Sequence, residues 1–480
     1  MKSLRDFFSR YKYRPMVRPW ALAGPILILC ICLPLLRPLR HPNESEISAD
    51  ETLRLATVRA LVEHRSLSLD RSYAKVPGIA PTSTGLYSSQ PPMMALLLSV
   101  PAWAMTRVGL SFETHQLLIA YLLTLIGVTL PVAAAAGLVY RMGRLFELKR
   151  PWRAVLGIAV VVGSGLISYA VVLNPHAPAA VLLLASAACL IHVAAMNRDD
   201  RRAGWFALAG ACSALAATID PAAVVLLVLF VFVIPAMRFS IGRRLAGMML
   251  YIIGAVPVIA LHAAWNIPVT GDLIPQSVHW AMEAPGVRGN IDAPPPLVTV
   301  AAPPDWDDDE PPARSIWDAI GASLMWFVNA FAGEHGLLSH FPVMILGILG
   351  IGAVMHRHWP SSTKTLAATC GVGAATIIIL YRIARPDWSN AMFATKWFIV
   401  FSPILLFWAG AWLRRGHRPM SWALAGTVFT FSCTVGLLGA TDPAPRHGFD
   451  RYTAAEAMLK LLEQSRSTTD TSAIAAGHTP

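Results

Sequence analysis

Two adjacent carboxylates, Asp50 and Glu51, follow the first apolar run of this 480-residue chain and open a partly amphipathic stretch, Asp50–Glu63. A carboxylate within hydrogen-bond reach of a hydroxyl can take its proton. The same pair at a helix start can simply cap it, favoured there by the helix dipole. Cations stand at comparable places: Arg54 and Arg59 in that stretch, and Arg382, Arg385 and Lys396 at the edges of later apolar runs. They can offset developing negative charge or reach out to lipid headgroups. Glu334 and His335 (GEHG) could relay a proton or bond to nearby backbone, and Tyr87 and Gln90 precede Pro91–Pro92. The acidic run Asp305–Glu310 (DWDDDE) lies among prolines and reads as a solvated face, so no metal is expected. His192 and His262 read as structural, single polar residues near the ends of apolar runs.

What must position these groups is a bundle of membrane spans. Residues are 55% hydrophobic and only 14% charged, and mean hydropathy is positive. Apolar runs recur to about residue 440, and nearly every second gap between them is short and basic: Met1–Trp20, Arg141–Arg153, Asn197–Gly204, Arg238–Arg244, His356–Lys364 and Arg414–Arg418. Those gaps hold 22 Lys and Arg against four acids, leaving 17 basic and 24 acidic residues elsewhere. Short basic loops resist translocation. The net charge of +11 therefore resolves into +18 inside and −7 outside. A split of that kind excludes a uniformly basic nucleic-acid binder. The six cysteines fall in apolar runs and suggest neither disulfides nor zinc.

Topology follows from keeping the basic gaps on one face. Pro91–Gly109 must then be a juxtamembrane helix rather than a crossing, consistent with its length and central Pro101. Ser315–Phe341, with Asp318, Asn329, Glu334 and His335, is too polar to cross unaided. Eleven crossings remain, near 20–37, 116–140, 154–173, 178–196, 205–220, 221–237, 245–264, 342–355, 365–384, 397–413 and 420–440. The fifth and sixth meet in a tight turn at Asp220–Pro221. The expectation is an all-α, multi-pass protein of the cytoplasmic membrane, with a cytoplasmic basic N-terminus (1–19) and a transmembrane domain (20–440). Its outer loops are 38–115 and 266–341. An extracytoplasmic, largely disordered tail (441–480) carries one short amphipathic patch, Thr453–Gln464. The first apolar run has no cleavage site after it and reads as a retained span. No internal repeat is evident, which weakens a transporter built from duplicated halves.

Several phrases now line up. After the first span come the acid pair, ALVEHRSLSLD (Ala60–Asp70), and GLYSSQPP (Gly85–Pro92) leading into a leucine-rich dipping helix. Later come WNIPVTGDLIPQ (Trp265–Gln276), GEHGLLSHFPVMILGILGI (Gly333–Ile351) and WSNAMFATKWFIVFSPILLF (Trp388–Phe407). Over most of residues 20–415 this order resembles the GT-C glycosyltransferases, in particular the bacterial relatives of protein mannosyltransferases and the aminoarabinose transferases. The chain departs from the pattern in three places. Leu53 and Arg54 stand where an aromatic residue is usual, Lys396 replaces an arginine, and Asn390, Ala391 and Ala394 replace glycines before it.

The resemblance implies transfer of a sugar, with inversion, from a polyprenyl phosphate to an acceptor at the outer face, without a cofactor. Asp50 matches the first-loop acid and would be the base; Glu51 would orient the acceptor or take that role itself. Lys396 would meet the lipid phosphate, aided by Arg382 and Arg385, with Glu334 and His335 near the carrier and Tyr87 and Gln90 on the acceptor path. The implied partners are membrane lipids, the polyprenyl-phosphate-linked sugar and a glycan, lipid or protein acceptor. A lipid-linked sugar flippase would need ionisable residues at mid-span, each costing about 2.5–3.5 kcal/mol on insertion scales. The spans are nearly free of them. An inactive GT-C-like scaffold is the other alternative, because of the altered Lys396 motif.

Overall fold

The computed structural model describes residues 19–36, 49–69, 72, 78–82, 85–195, 203–271, 273, 316–384, 393–394, 396–414, 418–441, 443, 453–455 and 458. Arg385, the acidic run Asp305–Glu310 and the basic N-terminus lie outside these residues, as does most of the tail. The described residues are almost wholly helical, as apolar runs require of a membrane protein whose backbone must pair within each segment. Among them five helices are long and apolar enough to cross a membrane: Gln116–Phe146, His176–Ala195, Ile241–Ile267, Ser361–Ile383 and Pro419–Thr441. Ile320–His340 and Met344–His356 meet at 89° and make a sixth if they count as one crossing.

The expected count of eleven is not reached on length and composition. The expected crossings at 20–37, 205–220, 221–237 and 397–413 are apolar helices of 10–17 residues, and that at 342–355 is the 13-residue Met344–His356. The run at 154–173 is only partly helical. Arg150–Val162 is a helix, and the chain then unwinds through Gly163, Ser164 and Gly165. Gly165 has a φ of +78°, and an added Cβ would sit 2.5 Å from the Phe341 ring, so both conformation and space call for glycine. The unwound stretch to Leu173 is buried. Ser168 donates to the Gly436 carbonyl, and the Asn174 amide to those of Tyr169 and Val172. Asn174 Oδ1 in turn accepts from the Ala177 amide at 2.9 Å, starting the next helix.

Four elements make up the described part of the expected first outer loop and the helix before it. Helix α1 (Pro19–Cys32) leads into it, and α2 (Ala49–Arg59) carries the acid pair. A hairpin follows, β1 (Ile79–Thr82) antiparallel to β2 (Gly85–Ser88), with Ala80 opposite Tyr87. Helix α3 (Met93–Arg107) falls where a juxtamembrane helix is expected, fifteen residues long with Pro101 inside it. It buries Met94, Leu98, Ala102 and Met105 at helical spacing and leaves Val100 and Trp103 exposed on another face. Helix α2 is clamped on two sides. Leu55 and Val58 enter the main core, while Leu53, Ala56 and Ala60 pack with Leu69 and Ile79 beneath the hairpin.

The closest helix pairing joins Gly204–Ile219 to Ile241–Thr270. Small residues let the backbones touch, the usual device where lipid offers no hydrophobic drive between helices. A Cβ on Gly254 would lie 1.9 Å from the Ala207 carbonyl oxygen, and one on Gly210 equally near that of Tyr251. Polar bonds lock the pair: Tyr251 donates its hydroxyl proton to Ser213 Oγ (2.7 Å) or to the Leu227 carbonyl (2.9 Å), and Ser213 also meets Ser186. We expect Gly254→Val to destabilise the protein by about 1–3 kcal/mol through overpacking, read as a lowered melting temperature in detergent. Gly426→Ala, which meets nothing within 4 Å, is the control and should stay within about 0.5 kcal/mol.

Candidate active site

Two segments distant in sequence converge on Asp50. Its Oδ1 accepts from Gln90 Nε2 at 2.9 Å, and its Oδ2 lies 3.6 Å from Lys396 Nζ. Neither oxygen is bound to the amides of its own helix, so the capping alternative finds no bond in the structure. Gln90 is delivered by the hairpin, its own amide held by Ser88 Oγ at 3.2 Å. Lys396 opens a tight helical turn, Lys396–Val400, and its ammonium also lies 5.8 Å from the centre of the Trp397 ring. Just before it, Ala394 takes a φ of +51°. Only glycine enters that region freely, which gives a physical reason for glycines in the phrase this one resembles. The strained turn is pinned by Phe393, whose carbonyl accepts from the Tyr169 hydroxyl and whose amide reaches the Pro443 carbonyl.

Glu51 points its bond elsewhere. It is 7% exposed, and its Oε1 accepts from the Leu173 amide at 2.8 Å, tying α2 to the unwound stretch. Arg54, one turn on and also 7% exposed, lies in the field of Asp50, Glu51 and Asp220. His176 Nδ1 meets Asp220 Oδ2 at 2.7 Å, and Asp220 Oδ1 accepts from the Ala222 amide. Sequence reasoning missed His176 and saw Asp220 only as a turn residue. An acid before proline reads as a turn, and nothing local announces a partner 44 residues away. Among the described residues no cluster of three or more His, Cys, Asp or Glu could hold a metal.

Electrostatics hold Asp50 ionised. Desolvation pushes its carboxyl up, but Lys396, Arg54 and His176 together outweigh it, and the net direction is below the ordinary carboxylate value. The side chain remains 48% exposed, so solvent screens the ion pair and its contribution to stability is discounted accordingly.

The other expected residues sit as follows. Tyr87 and Gln90 line a solvent-open cleft beside Asp50, together with Arg54, Thr57, Pro92 and Asn266. Arg382 donates from Nη2 to Ser323 Oγ at 3.1 Å, bracing Ser361–Ala384 against Ile316–Ala332. Glu334 is exposed and His335 half-buried, in the turn after Ile316–Ala332. The carbonyl of Glu334 receives the Thr453 amide, and Thr453 Oγ1 also meets His340 and the Ala394 amide. The tail thus contributes at least Thr453, fully buried, to the structure around the Lys396 turn.

No family model matches the sequence, and no curated protein matches it. Solved structures do. The apo crystal structure of the Archaeoglobus fulgidus oligosaccharyltransferase aligns at TM-score 0.50 and 12% identity, over 90% of this chain and 57% of that one. The chain shares the fold of that enzyme. Two further structures align at TM-score 0.48. ArnT from Cupriavidus metallidurans bound to undecaprenyl phosphate shares 14% identity over 85% of this chain and 62% of its own. The A. fulgidus oligosaccharyltransferase AglB, in complex with an inhibitory peptide and a dolichol-phosphate, shares 11% over 92% and 57%. The chain spans about three-fifths of the length of these proteins, and at such identities the likeness is one of fold.

Glu51→Ala would leave the Leu173 amide buried without its acceptor, at a cost of about 1–3 kcal/mol. We expect a lower melting temperature, whereas Glu51→Gln, which keeps an acceptor oxygen, should lose less than half as much.

Proposed function

We propose that this GT-C-fold protein is a membrane glycosyltransferase that moves a sugar from a polyprenyl-phosphate donor to a hydroxyl acceptor at the outer membrane face. Asp50 is the base, and Lys396 carries the charge of the departing lipid phosphate. The observation that carries this reading is the Asp50–Lys396 contact, a carboxylate and an ammonium meeting at the end of an otherwise apolar bundle. The fold and the motif order in the sequence support it.

In this reaction the acceptor oxygen attacks the anomeric carbon as its proton passes to Asp50. The carbon–oxygen bond to the lipid phosphate breaks, and that phosphate leaves with the electron pair and an additional negative charge. Lys396 on its long stem rests against the base before substrate binds, then swings to the phosphate. At 3.6 Å the resting contact is loose enough to exchange. Gln90 holds the other carboxylate oxygen and so fixes the direction in which the base faces. Glu51 serves the scaffold by holding Leu173, which leaves Asp50 as the base.

Asp50→Asn should reduce transfer by roughly 10²–10⁴-fold, the usual worth of a general base, with membrane abundance unchanged. An unaltered cell-surface glycan profile in that variant would sink the assignment. The pH dependence has a definite sign. A carboxyl depressed on folding is ionised above its ordinary value of about 3.9, and its pairing is lost only as pH falls through the lower folded value. Lys396→Met removes the leading opposing charge, so the acid limb of the kcat/KM profile should move upward while the rate falls. Lys396→Arg should keep the limb in place.

A further inference from the structure

Two side chains that line the cleft beside Asp50 end in buried polar atoms without hydrogen-bond partners among the described residues: Arg54 Nη1, a donor, and Gln90 Oε1, an acceptor. The orientation of the Gln90 amide is decided by chemistry. An ionised carboxylate only accepts, so the nitrogen must face Asp50 and the oxygen must face away from it. Each unpaired atom is costly to bury. Both atoms are covered, so a ligand would reach them as the ends of the two side chains turn into the cleft.

We propose that this cleft is the acceptor subsite and that it reads a pair of neighbouring hydroxyls on a neutral sugar. One hydroxyl donates to Gln90 Oε1 while its neighbour accepts from Arg54 Nη1. The inference deepens the transferase reading, on which it rests for the word acceptor. Three observations select the ligand class. The positive charge of Arg54 already lies among Asp50, Glu51 and Asp220, so a phosphate or carboxylate would meet a field offset by acids. A trans peptide group points its N–H and C=O in opposite directions and cannot serve both atoms from one side. Adjacent ring hydroxyls can. The cleft is open to solvent, and Leu67, Pro91 and Val269 offer apolar wall against the C–H face of a sugar ring.

Gln90 thereby couples the two ends of the reaction. The glutamine that aims the base also grips the acceptor, so a sugar bound through Gln90 brings its next hydroxyl towards Asp50. Gln90 is a positioning and specificity residue whose loss should raise KM more than it lowers kcat.

The test uses the full-length protein in detergent with no donor present. Saturation-transfer NMR is recorded with methyl glycosides of gluco, galacto, manno and arabino configuration, their monodeoxy analogues, a sugar phosphate and a serine-containing peptide. At least one glycoside should bind saturably, and removing one of two adjacent hydroxyls should weaken it roughly tenfold. Gln90→Leu and Arg54→Met should each do the same. The deoxy series needs no variant, so a misfolded Arg54→Met protein leaves the question answerable. Failure of every glycoside to bind overturns the inference, as does stronger binding of the phosphate or the peptide, or indifference to the deoxy change. Because no donor takes part, the readout is independent of the base. Glycoside binding alongside unchanged glycans in Asp50→Asn cells would remove the catalytic assignment alone.

Discussion

A backbone that leaves its helix inside an apolar bundle must find another partner for each amide and carbonyl it frees. Between Gly163 and Asn174 this protein does that, and much of the rest follows from how it is done. Glu51 takes the Leu173 amide, Thr129 donates to the Ala170 carbonyl, Ser402 to that of Ser164 and Asn174 to those of Tyr169 and Val172, while the side chains of Ser168 and Tyr169 reach out to the Gly436 and Phe393 carbonyls. Two of these bonds lead directly to the candidate site. Glu51 is the neighbour of Asp50, and Phe393 precedes the strained Ala394 that sets the Lys396 turn. The groups expected to do chemistry are thus mounted on either side of one unwound segment.

This arrangement explains why the acid pair divides its labour. Adjacent helical residues point about 100° apart, so Asp50 and Glu51 cannot serve one atom together. Glu51 turns inward to the scaffold, and Asp50 turns to the hairpin residue Gln90 and to Lys396. The replacement of arginine by lysine also has a geometric context. A compact ammonium on a flexible stem can rest on a carboxylate and leave it, whereas a two-pronged guanidinium would tend to hold it.

Charge placement has a similar logic around Arg54. A buried guanidinium is tolerable only when opposite charges lie near, and Asp50, Glu51 and Asp220 supply them from two elements. Asp220 is in turn steadied by His176 and the Ala222 amide. Carboxylates and cations nearly balance, which leaves a polar but not strongly charged wall beside the base. That balance could not be read from the total charge, which sums groups over the whole chain.

By itself the sequence determined the class of fold, the helical bundle and the short helix at Met93–Arg107. Hydropathy, proline placement and loop charge are local or additive properties, and they survive being read one segment at a time. Tertiary structure alone decided that the run at 154–173 unwinds, that several apolar runs form helices shorter than a full span, and that His176 and Asp220 stand beside Arg54. It also decided that Gln90 reaches Asp50, while the contacts seen for Arg382 brace two helices instead. Those outcomes depend on which distant side chain can satisfy a buried polar group, and that is a property of packing in three dimensions.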